Sequence, residues 1–313
     1  MASSACDTLP IRSLLFVPGD SEKKLERALD AGADALILDL EDSVALPRKA
    51  AARALVAEFL EQHAQATTAL WVRINPPSTP LARDDLAEIV ACGPRGLVVP
   101  KVLAHELGPL GAELQRLELD AGLEAGVTQL LPIATETPAS LFSLGGYTDV
   151  GPRLAGLTWG AEDLSVALGA ASAVDGDGRW LFTFELARTL CLAAAHAAGV
   201  AAIDTVYTEF RDAEGLRRQA AEARRDGFTG KLAIHPDQVA IINEAFQPSR
   251  AEVDAAHRIV AAFDQAPATA GAVAHEGRML DRPHLLRARR LLTLAARLNL
   301  PRPPDDIHGG VER

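Results

Sequence analysis

The chain has few cysteines, few aromatic residues and no excess of positive charge, and each shortage removes a class of function. Its three cysteines, Cys6, Cys92 and Cys191, are scattered over 313 residues. They lack metal-ligand spacing, and an odd count does not suggest a disulfide framework, so a reducing, cytoplasmic setting is expected. Aromatic residues make up 4% of the chain, which offers no stacking platform for bases. The net charge of −11 opposes nucleic-acid binding, because a phosphate backbone would be repelled. No apolar run is long and uninterrupted enough to cross a bilayer. Ala193–Ala198 is broken by His196 and belongs to an amphipathic helical pattern. Residues Met1 to Pro10 show neither a basic region nor an apolar stretch, so they are not read as a signal peptide.

What is present is an ordinary globular composition, 48% hydrophobic and 23% charged, in a chain long enough for one large α/β barrel. Short runs rich in Leu, Val and Ile recur, each followed by a longer helical pattern. Strands are expected at Ser13–Val17, Ala35–Asp39, Leu70–Asn75 and Gly96–Lys101, then at Gln129–Thr135, Gly156–Gly160, Val200–Asp204 and Gly230–His235. Ser21 is the expected N-cap of a helix over Glu22–Ala31, which Gly32 ends; Arg48–His63 and Phe182–Ala198 are further helices. An open doubly wound sheet shows the same alternation. Two features favour the (β/α)₈ TIM barrel: no glycine-rich turn follows the first strand, and polar residues gather at the ends of many strands. The barrel is expected over residues 1–245 and a C-terminal helical appendage over 246–300. The appendage consists of a helix at Ser249–Phe263, a small-residue turn at Ala266–Ala274 and a basic helix at Pro283–Leu298. A poorly ordered tail is expected over 301–313.

In a parallel barrel the C-terminal strand ends converge on one mouth, where chemistry sits. The polar residues near these ends are Arg12, Asp39, Glu41, Asp42, Arg73, Asn75, Lys101, Glu136, Glu162, Asp163, Asp204 and His235. Crowded carboxylates repel one another, and a bound cation relieves that repulsion. Oxygen ligands with neither cysteine nor a histidine pair point to Mg²⁺, or Mn²⁺ in its place, rather than Zn²⁺. Glu136 and Asp163, each just past an apolar strand with a small residue nearby, are the leading metal ligands. The alternative for both is a solvated cap or salt bridge. Arg73 suits bidentate capture of a substrate carboxylate or polarisation of a carbonyl, or else pairing with a neighbouring acid. His235 is expected as a buried core histidine and Asp204 as structural. Lys23 and Lys24 are read as a solvated helix face or as contacts for coenzyme A phosphates. Trp159, Leu164 and the Ala170–Trp180 loop are candidates for shaping an acyl pocket.

Seven motifs in register carry a resemblance. They are Arg12-Ser-Leu-Leu-Phe-Val-Pro-Gly19, Leu38-Asp-Leu-Glu-Asp-Ser43, Val72-Arg-Ile-Asn75, Val99-Pro-Lys101, Glu136-Thr137, Gly160-Ala-Glu-Asp-Leu164 and Gly230-Lys-Leu-Ala-Ile-His-Pro236. From about Arg12 to Leu285 the chain resembles the citrate lyase beta subunit-like family of the HpcH/HpaI aldolase superfamily, and in type the malyl- and citramalyl-CoA lyases. The resemblance implies an oligomeric (α/β)₈ barrel, a homo-trimer or hexamer, with Mg²⁺ on Glu136 and Asp163. It implies that Arg73 contacts the oxo-acid and that Lys101, Asp39 and Glu41 support the site. Arg12 lies near the start of its strand, which on barrel geometry is the far end, but the resemblance implies a place near the ligand. Gly277-Arg-Met-Leu-Asp-Arg-Pro-His284 resembles the segment that reaches a neighbouring subunit's site, making Asp281 a candidate for proton transfer.

The implied reaction is a reversible carbon–carbon cleavage of a β-hydroxyacyl-CoA thioester such as malyl-, methylmalyl-, citramalyl- or citryl-CoA. Coenzyme A is then part of the substrate, and the products are an acyl-CoA and a 2-oxo acid. Malyl-CoA thioesterase activity is one alternative. The others are a metal-dependent class II aldolase acting on a free 2-keto acid and a carrier-protein-binding subunit of a lyase complex.

Overall fold

The computed structural model describes residues 11–267 and 271–300. Cys6, the segment Met1–Pro10 and the tail 301–313 therefore lie outside the described residues. The chain divides into one unit over Ile11–Phe246 and a second that begins at Gln247.

The first unit alternates strands and helices. In order they are β1 (Ser13–Pro18), α1 (Glu22–Leu29), β2 (Ala35–Asp39), α2 (Lys49–Gln62), β3 (Ala69–Arg73) and α3 (Pro80–Ile89). Next come β4 (Gly96–Val99), α4 (Leu107–Asp120), β5 (Gln129–Pro132), α5 (Pro138–Leu141), β6 (Gly156–Thr158) and α6 (Ala161–Leu168). The unit ends with α7 (Phe182–Ala198), β7 (Ala201–Asp204), α8 (Ala213–Asp226), β8 (Gly230–Ala233) and α9 (Pro236–Phe246). All eight strands are parallel, in the order β5-β4-β3-β2-β1-β8-β7-β6. The parallel bridges Leu130↔Leu154 and Ile133↔Thr158 join β5 to the β6 segment and bring the sheet round on itself. This is the expected (β/α)₈ barrel.

Period-two alternation sorts each strand's side chains into two layers. Leu14, Ile37, Trp71, Val98, Leu131, Ile203 and Leu232 form one buried cluster, the filling of the barrel. The intervening Leu15, Leu36, Leu38, Val72, Leu97 and Leu157 join the larger cluster shared with the helices. Buried ion pairs knit the outer layer. Lys231 Nζ donates to Asp204 Oδ2 at 2.7 Å, and Trp159 Nε1 donates to Asp204 Oδ1 at 2.8 Å. Arg53 Nε meets Asp85 Oδ1 at 2.9 Å, while Asp85 Oδ2 accepts the backbone and side-chain N–H of Asn75. Asn75 is thus spent on the β3 exit rather than on a ligand. Asp204 is structural, as read from the sequence.

In the second unit, α10 (Arg250–Asp264) is capped by Ser249, whose hydroxyl accepts the Glu252 N–H. An antiparallel hairpin follows, β9 (Ala272–His275) with β10 (Arg278–Asp281), and then α11 (Arg282–Arg297). The turn expected over Ala266–Ala274 overlaps only the start of this hairpin. Strands of only four residues give little alternation to detect. Among the described residues, no helix is long and apolar enough to cross a membrane.

Candidate active site

Asp39 and Arg73 end β2 and β3 on the positions that continue the inward series Ala35–Ile37 and Ala69–Trp71, so both face the mouth. They are register partners. Arg73 donates Nε to Asp39 Oδ1 and Nη2 to Asp39 Oδ2, each at 2.7 Å, the two-pronged geometry a guanidinium favours. Asp39 also accepts the backbone N–H groups of Glu41 and Ser43. Burial works against its charge, but Arg73 and these N–H groups hold its carboxyl below the usual range. Burial likewise opposes the Arg73 cation, and Asp39 with Glu41 outweighs it, so Arg73 stays firmly protonated. The guanidinium lies 4.7 Å from the ring centroid of Phe16, an inward, half-buried residue of β1.

Lys101 connects the rest. Its φ of 50° places a non-glycine residue in the left-handed region, where a side chain costs energy that surrounding contacts must offset. That conformation lets one residue face two ways. Its backbone N–H donates to Glu136 Oε2 at 2.5 Å, while Nζ reaches Glu41 Oε1 at 2.6 Å. The same Nζ stands 3.4 Å from Asp163 Oδ2 and 3.5 Å from Asp42 Oδ2. Burial lowers the Lys101 affinity for its proton, but Glu41, Glu136 and Asp163 together raise it above the ordinary value.

Glu41 is buried, and burial raises its pKa despite Arg73 and Lys101. Its Oε2 lies 3.0 Å from Arg73 Nη1 yet accepts no hydrogen bond. Glu136 is 4% exposed, and burial raises its carboxyl well above the usual range, with Glu41 and Asp163 adding repulsion. Thr137 caps α5 directly after it, accepting the Ser140 N–H at 3.1 Å and turning the chain away from the mouth. Asp163 lies in the first turn of α6, 35% exposed at its side chain. Lys49, not singled out in the sequence, donates Nζ to the carbonyls of Leu40 and Glu41 at 2.6 and 2.7 Å and so fixes the β2 exit. Among the described residues, no three His, Cys, Asp or Glu side chains form a ready metal centre.

Residues 12–236 match the model of the HpcH/HpaI aldolase/citrate lyase family. The chain belongs to this family. Asp39, Glu41, Arg73, Lys101, Glu136 and Asp163 all fall within the matched span. A second match, to the C–C bond lyase family of the TIM-barrel fold, covers residues 188–298 and so includes Asp281. HpcH/HpaI relatives of the chain include citrate lyase subunit beta from Leuconostoc mesenteroides subsp. cremoris, 34% identical over 91% of this chain and 93% of that protein. The (3S)-malyl-CoA thioesterase of Cereibacter sphaeroides is 36% identical over 91% and 95% of the two chains. Mitochondrial citramalyl-CoA lyase of Rattus norvegicus is 35% identical over 92% and 86%. The solved structure of CitE from Mycobacterium tuberculosis, in complex with magnesium, acetoacetate and coenzyme A, superposes with a TM-score of 0.74. It is 31% identical, over 92% of this chain and 98% of that one.

For this HpcH/HpaI member, the geometry corrects several expectations. Arg12 is not brought to the mouth. It precedes β1, and its Nε and Nη2 grip Asp34, which precedes β2, at 2.9 and 2.8 Å. Residues before parallel strands sit at the barrel's N-terminal end, so barrel geometry overrides the expectation drawn from resemblance. His235 is not a buried core histidine. Its side chain is 40% exposed and its ring stacks on Phe210 at 5.0 Å. Trp159 and Leu164 are fully buried in the strand–helix layer, and Trp180 meets Trp159 edge to face at 4.9 Å, so these residues build the core rather than an acyl pocket. Ser21 precedes α1 with extended backbone but makes no side-chain cap. Lys23 and Lys24 are exposed on α1. Asp281 stands at the junction of β10 and α11, exposed, with Oδ1 2.5 Å from His284 Nδ1, a contact that lowers its pKa.

Proposed function

We propose that the chain is a Mg²⁺-dependent carbon–carbon lyase that cleaves a β-hydroxyacyl-CoA thioester into an acyl-CoA and a 2-oxo acid. The observation that carries this reading is the mouth itself. A guanidinium fixed by two carboxylates lies beside a lysine that touches both Glu136 and Asp163. These two carboxylates fit the proposed ion. Glu136 is buried among like charges with a raised pKa, a state that a cation relieves. Mg²⁺ needs only one or two protein carboxylates, with water and substrate oxygens completing its shell, and Mn²⁺ would fit the same oxygen set. The CitE structure with magnesium and coenzyme A supports the same choice.

Bound there, the ion would polarise the oxygens of the oxo-acid half. Arg73 binds the carboxylate of that half, its plane preset by Asp39 and Phe16 and its charge kept by burial against Asp39 and Glu41. Lys101 holds Glu136 and Glu41 apart and lowers the repulsion among the acids. In cleavage the β-hydroxyl loses its proton and becomes the new carbonyl. The carbon–carbon electron pair passes to the α-carbon of the thioester as an enolate, and a proton returns there to give the acyl-CoA. Asp281 of a second copy is assigned both transfers, taking the hydroxyl proton as a carboxylate and returning it to the α-carbon, in a homo-trimer or hexamer whose C-terminal segments, residues 246–300, complete neighbouring sites. The setting is the cytoplasm.

The similarity to (3S)-malyl-CoA thioesterase favours a second reading in which the β-hydroxyacyl thioester itself is hydrolysed. Citrate lyase subunit beta supports a third, a carrier-bound substrate within a complex. One screen separates them. The protein is incubated with Mg²⁺ and each of malyl-, methylmalyl-, citramalyl- and citryl-CoA, with mass-spectrometric readout. The lyase reading expects an acyl-CoA and an oxo-acid in equal amounts. Free coenzyme A with the intact hydroxy acid, and no oxo-acid, indicates the thioesterase, and no turnover of any free thioester overturns the primary reading.

A further inference from the structure

Glu136 follows β5, and Asp163 sits in the first turn of the helix that follows β6, so their spacing depends on how two separate strand exits are tied. Thr135 supplies the tie. It is fully buried, and its hydroxyl spends both its capacities on one residue. Oγ1 accepts the Gly160 N–H at 3.1 Å and donates toward the Gly160 carbonyl at 3.5 Å. Gly160 is the residue from which α6 starts, three before Asp163. Its bare Cα also lies against the other carboxylate's stem. A β-carbon there would stand 2.8 Å from Glu136 Cγ and 3.2 Å from Ile133 Cγ2. Neither residue touches the mouth with a charged group, and neither has a role in the chemistry above.

We propose that Thr135 and Gly160 form a clamp that sets the distance between Glu136 and Asp163, making Thr135 a positioning residue for the divalent ion. The inference rests on the metal reading given above. Outer-sphere partners of this kind govern ligand orientation, and their loss weakens metal binding by about 10-fold or more. Valine in place of Thr135 keeps the shape but removes the acceptor of the Gly160 N–H, so the β6 exit is free to shift.

The test is calorimetric titration of Mg²⁺ into the purified, folded protein in the presence of pyruvate, with circular-dichroism melting in parallel. Thr135→Val is expected to weaken Mg²⁺ binding by roughly 10-fold, and Thr135→Ser, which restores the hydroxyl, to recover it. Gly160→Ala, which keeps Thr135 intact and pushes on Glu136, is expected to weaken binding too, and it stands in if Thr135→Val does not fold. A purely structural role would lower the melting temperature of Thr135→Val and leave its Mg²⁺ affinity unchanged. That result, or unchanged affinity in Gly160→Ala, overturns the clamp. Glu136→Gln separates the two levels. If it binds Mg²⁺ as the parent does, or the parent binds none, the metal reading falls and the clamp with it. If it loses Mg²⁺ while Thr135→Val keeps it, the clamp alone falls.

Discussion

Arg73 and Asp39 face each other across adjacent strands and share two parallel hydrogen bonds of 2.7 Å. The pair is a register partnership before it is a site, since β2 and β3 align residue for residue from Ala35↔Ala69 to Asp39↔Arg73. Two bonds and a ring beneath leave the guanidinium one orientation. A lysine cannot reproduce that fork. Arg73→Lys is therefore expected to keep the fold and reduce kcat/KM by about 100-fold or more, through lost binding of the oxo-acid half. Steady-state kinetics in the condensing direction, with the oxo-acid varied, checks this. A near-normal value would remove Arg73 from substrate binding.

The Arg12–Asp34 pair makes the opposite prediction. Its side chains are 17% and 18% exposed, at the barrel's other end. Arg12→Ala should lower stability by about 1 kcal/mol and leave the KM for the thioester unchanged. A large rise in KM with stability intact would return Arg12 to the site.

Lys231 and Asp204 form a fully buried pair away from the mouth, in the strand–helix layer. Asp204→Asn leaves a buried ammonium without its counter-charge, at a cost of about 3 kcal/mol or more. Denaturant unfolding should show that loss while kcat per folded molecule stays at the parent value. Lost turnover without lost stability would make Asp204 functional.

Acid should act first on ion pairs such as Glu118–Arg153. Burial raises the Glu118 pKa, but two hydrogen bonds from Arg153 and the N–H groups of Gly126 and Thr128 bring it down to about 2. A depressed folded pKa gives stability that is fully present above the unfolded value, near 4.5, and drains away as pH falls toward about 2. Glu118→Gln should therefore be less stable at neutral pH, with the gap to the parent closing on acidification. Melting temperatures measured across that window decide it, and a gap independent of pH would contradict the pairing.

Asp281 carries the proton-transfer proposal. Asp281→Ala should retain oxo-acid binding by calorimetry while losing turnover. Full activity of the variant would refute the role.

Much of this was legible in the sequence, for reasons that can be traced to particular residues. Alternating apolar residues reveal a strand wherever one face is buried, so β2 falls on its expected bounds, and the helical spacing of Phe182–Ala198 does the same for α7. Strand ends were overrun at Lys101, Thr135 and His235. These residues continue the chain's direction but lie past the last ladder bond, and pattern alone does not see a ladder. The acids and Arg73 were visible because polar residues at apolar strand ends are costly without a purpose. Thr135 was not, since one hydroxyl in an apolar run resembles any β-branched strand residue. Phe16 had a faint signal, two positions after inward Leu14. Asp34 had one too, an acid just before a strand, matching an arginine just before its neighbour.

The most direct test is a crystal grown with Mn²⁺ and pyruvate, with the metal located by its anomalous signal. The account predicts one strong peak within about 2.2 Å of a carboxylate oxygen from each of Glu136 and Asp163, with the pyruvate carboxylate on Arg73. A metal held elsewhere, or pyruvate bound away from Arg73, would contradict it.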